Sequence, residues 1–292
     1  MTLNFANATT TEDGRLALQK KDYATALRIF KEEAKRNDSN AQMFLATMYI
    51  EGSAVDKNLE EALRLMKQSA SNENAQAQHQ LAVMYQNGIG TERNIQEAFR
   101  WFKLSTEQGV AAAQHGLGSL YENGIGVKKD VSEAARLYRL AADKNLAAAQ
   151  HNLAVLYESG VGVKEDKKEA IRLYKLAATQ GMREAQFNLA VNYDNGDGIE
   201  KNKAQALYWY RLAAKQGMTE AQLNLGYMYL DGEGVQANIL KAITWWKIAN
   251  LYGNNEALES IKNIATKISK SEYSQAMKAA EDCYKKRLDG CS

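Results

Sequence analysis

The chain has 292 residues, of which 45% are hydrophobic and 25% charged, with a formal net charge of +2. That apolar content is enough to build a core and excludes a disordered tail. Lysine, arginine, aspartate and glutamate are mixed along the whole length, and no apolar run approaches the ~18 residues of a membrane span, so neither a nucleic-acid stripe nor a spanning helix is read.

In chain order, residues 1–13 read as a flexible lead-in that lacks the basic-then-apolar pattern of a signal peptide. Residues 14–40 read as a capping helix pair, its helices within GRLALQKKDYATALRIFKEEAKR (14–36), with no glycine loop. From 41 to 256 the sequence repeats itself every 36 residues, in six copies without insertion or deletion. Tyrosines mark the period at Tyr49, Tyr85, Tyr121, Tyr157, Tyr193 and Tyr229. An Ala-Gln pair, first at Ala41-Gln42, and a glycine, first at Gly52, hold the same register. Proline is absent and alanine abundant, and both favour helix.

Each copy predicts two helices. In the fourth, Ala149, Leu153, Ala154 and Tyr157 share one helical face. Gly160 is placed to end that helix with left-handed backbone, and Gly162 to shape the loop. Asp166 is placed to cap the second helix, whose buried stripe runs through Ala170, Leu173, Tyr174, Ala177 and Ala178. A lone helix pair cannot bury both stripes, but stacked pairs can. In the first copy Ser53-Ala54 replaces the residue and glycine of the other loops, so a different loop path is expected there.

Residues 257–292 keep register for half a unit at Ala257 and Ile261, then predict a capping helix from Ser271 to about Leu288. The only cysteines, Cys283 and Cys291, lie in this tail, and Gly290 gives the chain freedom to turn back. Two cysteines together at one end fit a disulfide formed in an oxidising compartment. Two reduced thiols in a cytosolic protein are the alternative, and both stay open at this point. Lys285, Lys286 and Arg287 are the one locally basic run and read as a solvated helix end.

The unit AQxNLxxxYxxGxGVxxDxxxAxxxYxxAAxxG, seen from Ala149 to Gly181, resembles the Sel1-like repeat, a relative of the tetratricopeptide repeat with a glycine-marked loop. The resemblance spans about residues 41–253. The N-terminal pair, with Asp22, Tyr23, Ala26, Leu27 and Phe30, is closer to a plain tetratricopeptide unit. The family often carries proline in the loop, whereas GVKKD (126–130) and GVKED (162–166) stand here, with some loss of rigidity expected. The resemblance implies an all-α, right-handed α-solenoid superhelix that serves as a non-catalytic adaptor for another protein. It also implies a bacterial exported type, periplasmic or secreted, with a cytoplasmic location open. One implied alternative is an immunity protein that neutralises a secreted phospholipase toxin. A cell-wall or lactam hydrolase is a distant one.

By the tetratricopeptide analogy, one position on the first helix of each repeat faces the concave surface. It carries all three histidines, His79, His115 and His151, and then Phe187 and Leu223. Neighbouring positions on the same face are Val83, Gln86, Glu122, Val155, Glu158, Val191, Asp194 and Tyr227. Mixed apolar and acidic character suits a basic, partly apolar protein partner. Solvated helix positions are the plainer reading. Metal binding by the histidines is disfavoured, because neighbouring helices lie about 8–10 Å apart while zinc needs ligands at about 2 Å. No metal or other cofactor is expected. The Asp194-Asn195-Gly196-Asp197-Gly198 stretch lacks a calcium loop's spaced ligands, and the Gly-x-Gly loops lack a nucleotide fingerprint. No nucleophile constellation stands beside the histidines, so no enzyme is read. The unbound chain is expected to be monomeric.

Overall fold

The structure, a computed structural model, describes residues 10–286, 288 and 291. Among the described residues it holds sixteen α-helices and no strand. They fall into two units, one ending at Lys144 and the other beginning at Asn145. The first contains α1 (Thr11–Gln19), α2 (Tyr23–Lys35), α3 (Ser39–Glu51), α4 (Leu59–Ser71), α5 (Ala75–Asn87), α6 (Ile95–Glu107), α7 (Ala111–Asn123) and α8 (Val131–Ala142). The second contains α9 (Ala147–Ser159), α10 (Lys167–Thr179), α11 (Arg183–Asn195), α12 (Lys203–Lys215), α13 (Thr219–Asp231), α14 (Ile239–Leu251), α15 (Asn255–Ala265) and α16 (Lys270–Lys285). The first helix of each repeat is its A helix and the second its B helix. Within a unit each A helix packs on its own B helix, and that B helix on the next A helix. The expected all-α solenoid of helix pairs therefore holds in each unit.

The loop between A and B is fixed by local chemistry. Gly160 ends α9 at φ 67°, as placed from the sequence. The B helix starts on an Asn or Asp whose side chain accepts from the third backbone N–H: Asp166 does this for α10 and Asn202 for α12. The same residue's N–H donates back to the tyrosine carbonyl of the A helix, as Asn202 does to Tyr193 at 2.8 Å. The second loop glycine answers a steric demand. A Cβ on Gly234 would stand 2.5 Å from the Lys203 carbonyl of the preceding B helix. Ala54 takes the same left-handed turn at φ 57°, so the different path expected for the first loop is not found. The alanine adopts it at a cost of about 1–2 kcal/mol.

Between the helices the core is alanine against large rings. Ala77, Ala98, Ala185 and Ala206 are fully buried, which lets the backbones approach closely. The rings of Phe102 and Tyr138 in the first unit, and of Tyr174, Tyr210, Trp245 and Trp246 in the second, fill the remaining space. Burying each contributes on the order of 2–3 kcal/mol.

The ends differ in detail from expectation. A Thr10–Asp13 capping box starts α1 at Thr11, inside the stretch read as lead-in, and residues 1–9 of that stretch lie outside the described residues. At the other end a Ser269–Glu272 capping box starts α16, which stops at Lys285 rather than near Leu288. Leu288 instead turns left-handed, and its N–H returns to the Cys283 carbonyl. A disulfide joins Cys283 to Cys291, with Cα atoms 5.7 Å apart. The turn expected at Gly290, like Arg287, lies outside the described residues.

Candidate functional site

The A helices bring the expected residues to one repeat face within each unit, but that face is tied inward more than the sequence implied. In the first unit the His79 ring lies 5.9 Å from Phe102, and His115 lies 5.4 Å from Tyr138. Burial holds both imidazoles below their ordinary pKa. In the second unit His151 packs at 5.8 Å on Tyr174 and Phe187 at 5.7 Å on Tyr210. The histidine position thus seats a flat ring on the buried aromatic of its own B helix.

His151 is held at both ring nitrogens. Asn188 Nδ2 stands 3.3 Å from Nε2, and Asn152 Oδ1 stands 3.2 Å from Nδ1. With the amide donating to Nε2, the ring proton sits on Nδ1 and is donated to Asn152. Among the described residues, no three His, Cys, Asp or Glu side chains come close enough to hold a metal ion.

The acidic positions need a correction. Glu122, Glu158 and Asp194 are the acidic positions expected on a mixed apolar and acidic groove. Instead Glu122 accepts from the Tyr138 hydroxyl at 2.6 Å, and Glu158 from Tyr174 at 2.8 Å. Glu158 also accepts from Asn192 Nδ2 at 2.9 Å. Asp194 forms an ion pair with Lys203 at 2.5 Å. Burial, reinforced by these carboxylates, pushes the Tyr174 and Tyr210 hydroxyls well above the ordinary phenol value. The acids bind A helix to B helix inside the repeat before they face any partner. Where the first unit has Phe102, the matching acid position is Gln86, half-buried and with no phenol to receive.

Leu223 also departs from the expected face. It is 7% exposed, and its carbonyl accepts from the Trp246 indole at 3.1 Å. Trp246 stands where α4 carries Met66, α6 Phe102, and α8, α10 and α12 a tyrosine. In the second unit Val155, Val191 and Tyr227 share one repeat position, the two valines half-buried and the tyrosine exposed. Tyr227 is 36% exposed, stands edge-on to Trp246 at 5.2 Å, and reaches Ser260 at 2.8 Å. The first unit carries Val83 and Ser119 at that position. A surface cavity of about 410 Å³ opens elsewhere in the first unit, lined by Lys31, Gln42, Tyr49, Glu61 and Arg64, and none of the expected site residues lines it.

Charge is not mixed once helices are sorted by layer. In the first unit α4 and α6 each carry two cations and two acids, and α8 two cations and one acid. In the second unit α10 carries four cations, α12 three and α14 two, against the single acid Glu169. Sequence reasoning missed this, because A and B helices alternate along the chain and any running window averages them.

The comparisons with known proteins agree with this architecture. The Sel1 repeat family matches residues 39–74, 75–110, 111–146, 147–182, 183–218 and 219–251. A Sel1 repeat protein from Oxalobacter formigenes is 33% identical at a TM-score of 0.76, covering 83% of this chain and 99% of that one. A protective antigen of uropathogenic Escherichia coli, displaying an SLR fold, is 25% identical at a TM-score of 0.62, covering 95% of this chain and 72% of that one. An immunity protein from Pseudomonas aeruginosa is 19% identical at a TM-score of 0.44, covering 81% and 83%, a likeness that carries no inference here. Comparison with the curated proteins gives no match. Repeat register, helix-pair geometry and sequence identity agree: this chain belongs to the Sel1 repeat family.

Proposed function

We propose that this chain is a non-catalytic scaffold that binds another protein along the A-helix face of its second unit. The observation that carries the reading is the row Val155, Val191 and Tyr227. These apolar side chains stand at one repeat position, partly open to solvent, beside rings locked onto buried aromatics. A rigid row of this kind offers contact area at little entropic cost. Membership of a repeat family whose units stack into scaffolds supports it. The acids of this face are engaged within the repeats, so apolar contact leads and charge is secondary.

The test is a pull-down from periplasmic and cytosolic extracts, with partners identified by mass spectrometry, followed by affinity measurement on the purified pair. Phe187→Ala with Tyr227→Ala should weaken binding by about tenfold or more, a loss of roughly 1.4 kcal/mol, with helix content retained. Unchanged affinity for a validated partner would reject the face.

The reading includes export. The Cys283–Cys291 disulfide supports an oxidising compartment, as in the periplasm or outside the cell. Thiol labelling of natively fractionated cells checks it: two reactive thiols on protein from the cytosolic fraction would reject export.

A further inference from the structure

The second unit presents a surface on its B helices that the A-helix face does not use. On α4, α8 and α10 an exposed arginine pairs with a glutamate three residues earlier: Glu61–Arg64 at 2.6 Å, Glu133–Arg136 at 2.7 Å and Glu169–Arg172 at 2.7 Å. α6 has the same pair, Glu97–Arg100, at 3.6 Å. On α12 these two positions are Gln205 and Tyr208. Tyr208 is 53% exposed, and its ring stands edge-on to Trp209 at 5.0 Å. Leu212 follows one turn on, and Leu176, 37% exposed, holds the equivalent position on α10. On α12 the polar pair of four other B helices is thus replaced by Gln205 and an exposed tyrosine ring, beside a leucine position that α8 and α10 share as Leu140 and Leu176.

This strip of Tyr208 and the neighbouring leucines lies in a positive setting. The sole acid on α10, α12 and α14, Glu169, is engaged with Arg172. Lys168, Lys175 and Lys215 are exposed. We propose that this strip docks an acidic protein segment whose apolar anchoring side chain seats on Tyr208. Charge complementarity selects the acid, since a positive field steers and orients an anionic partner. Lys203 is neutralised by Asp194 and Glu233, and Lys167 by Asp197, so the field comes from the other cations, of which Lys175 is fixed over the Tyr193 ring and Arg211 over Tyr229. Cations held this way suit a fixed field rather than the many mobile phosphate contacts that a nucleic acid takes up. A membrane surface calls for a broad apolar face sunk into the headgroups. Here the strip is narrow and lies along the helix flank.

The experiment uses the whole chain and four labelled probes: a short Asp/Glu-rich peptide with a central Leu-Trp anchor, its lysine-substituted counterpart, phosphatidylglycerol vesicles and a single-stranded DNA. The key variant, Gln205→Glu with Tyr208→Arg, rebuilds the ion pair native to four other B helices, so the fold has a precedent for it. Lys215→Glu is a second variant that leaves the strip intact. The acidic peptide should bind at least about tenfold tighter than its counterpart, and the double variant should lose at least about tenfold. Lys215→Glu should weaken it by a few-fold, and more so at low salt. Equal binding of the two peptides, no binding, or indifference to the double variant overturns the proposal. Tighter binding of vesicles or DNA than of the acidic peptide overturns it as well.

Discussion

In the first unit the B helices nearly balance their charges, and an Arg–Glu pair recurs on each of α4, α6 and α8. In the second unit the same layer keeps one acid, and an exposed tyrosine interrupts the pairs. Both units nonetheless bury alanines at the same repeat positions, each packed with large side chains. The repeat dictates what is buried and leaves exposed positions free to diverge. One unit therefore serves as an internal reference for the other, and a binding surface is sought where the second departs from the first.

The largest expected effect tests how far that reference extends into the core. Gly226 and Gly118 hold one repeat position in the two units. A Cβ on Gly226 would stand 2.1 Å from Trp246 Nε1, and one on Gly118 2.8 Å from Tyr138. Gly226→Ala should destabilise the second unit by about 2–3 kcal/mol and Gly118→Ala the first by about 1 kcal/mol, the rigid indole having less room to yield. Denaturant unfolding resolved by hydrogen exchange checks both, and equal effects would break the contrast.

Next in size is the C-terminal cap. Cys283→Ser with Cys291→Ser opens a short loop and should cost about 2 kcal/mol. Loss of exchange protection should be confined to α16, with helices of the first unit unchanged.

A smaller effect is expected at the phenol–acid pairs. Tyr174→Phe leaves Glu158 short of a donor and should cost about 1–2 kcal/mol. The mirror experiment is in the first unit, where Phe102 and Gln86 lack the pair. Gln86→Glu with Phe102→Tyr should stay within about 1 kcal/mol of the parent, whereas Gln86→Glu alone should be worse. Thermal melts decide it.

The smallest effect concerns pH. His79 and His115 titrate below their ordinary value because burial disfavours the charged ring. The unfolded chain then binds more protons, so these groups destabilise the first unit as pH falls below about 6.5 and down through the folded pKa. His79→Phe with His115→Phe should flatten that slope in unfolding experiments between neutral and mildly acidic pH.

Much of this was legible in the sequence. The 36-residue period located the helix pairs, the glycine turn after α9 and the Asp166 cap. What was misread lay across space rather than along the chain. Glu122, Glu158 and Asp194 looked like groove charges because their partners come from the opposite helix. A signal was present all the same: acids occur where tyrosine follows sixteen residues later, as with Glu158 and Tyr174, and Gln86 precedes Phe102. Leu223 is buried beside Trp246, a partner that comes from the opposite helix and is not apparent along the chain. The α1 start was missed because Thr10 and Asp13 form a capping box with aspartate in the usual glutamate place.

The second loop glycine has an evolutionary consequence. Gly90 fits against the Leu59 carbonyl and Gly234 against that of Lys203, each reaching back 31 residues into the preceding repeat. Loss or gain of one residue between them would misalign that fit, whereas gain or loss of a whole repeat preserves it. A gene for such a chain can lengthen or shorten in complete units without disturbing that fit, while a single-codon insertion inside a unit would break it. Length in this protein is therefore a heritable variable with a fixed step, and new surfaces arise by copying a unit and then altering its exposed positions.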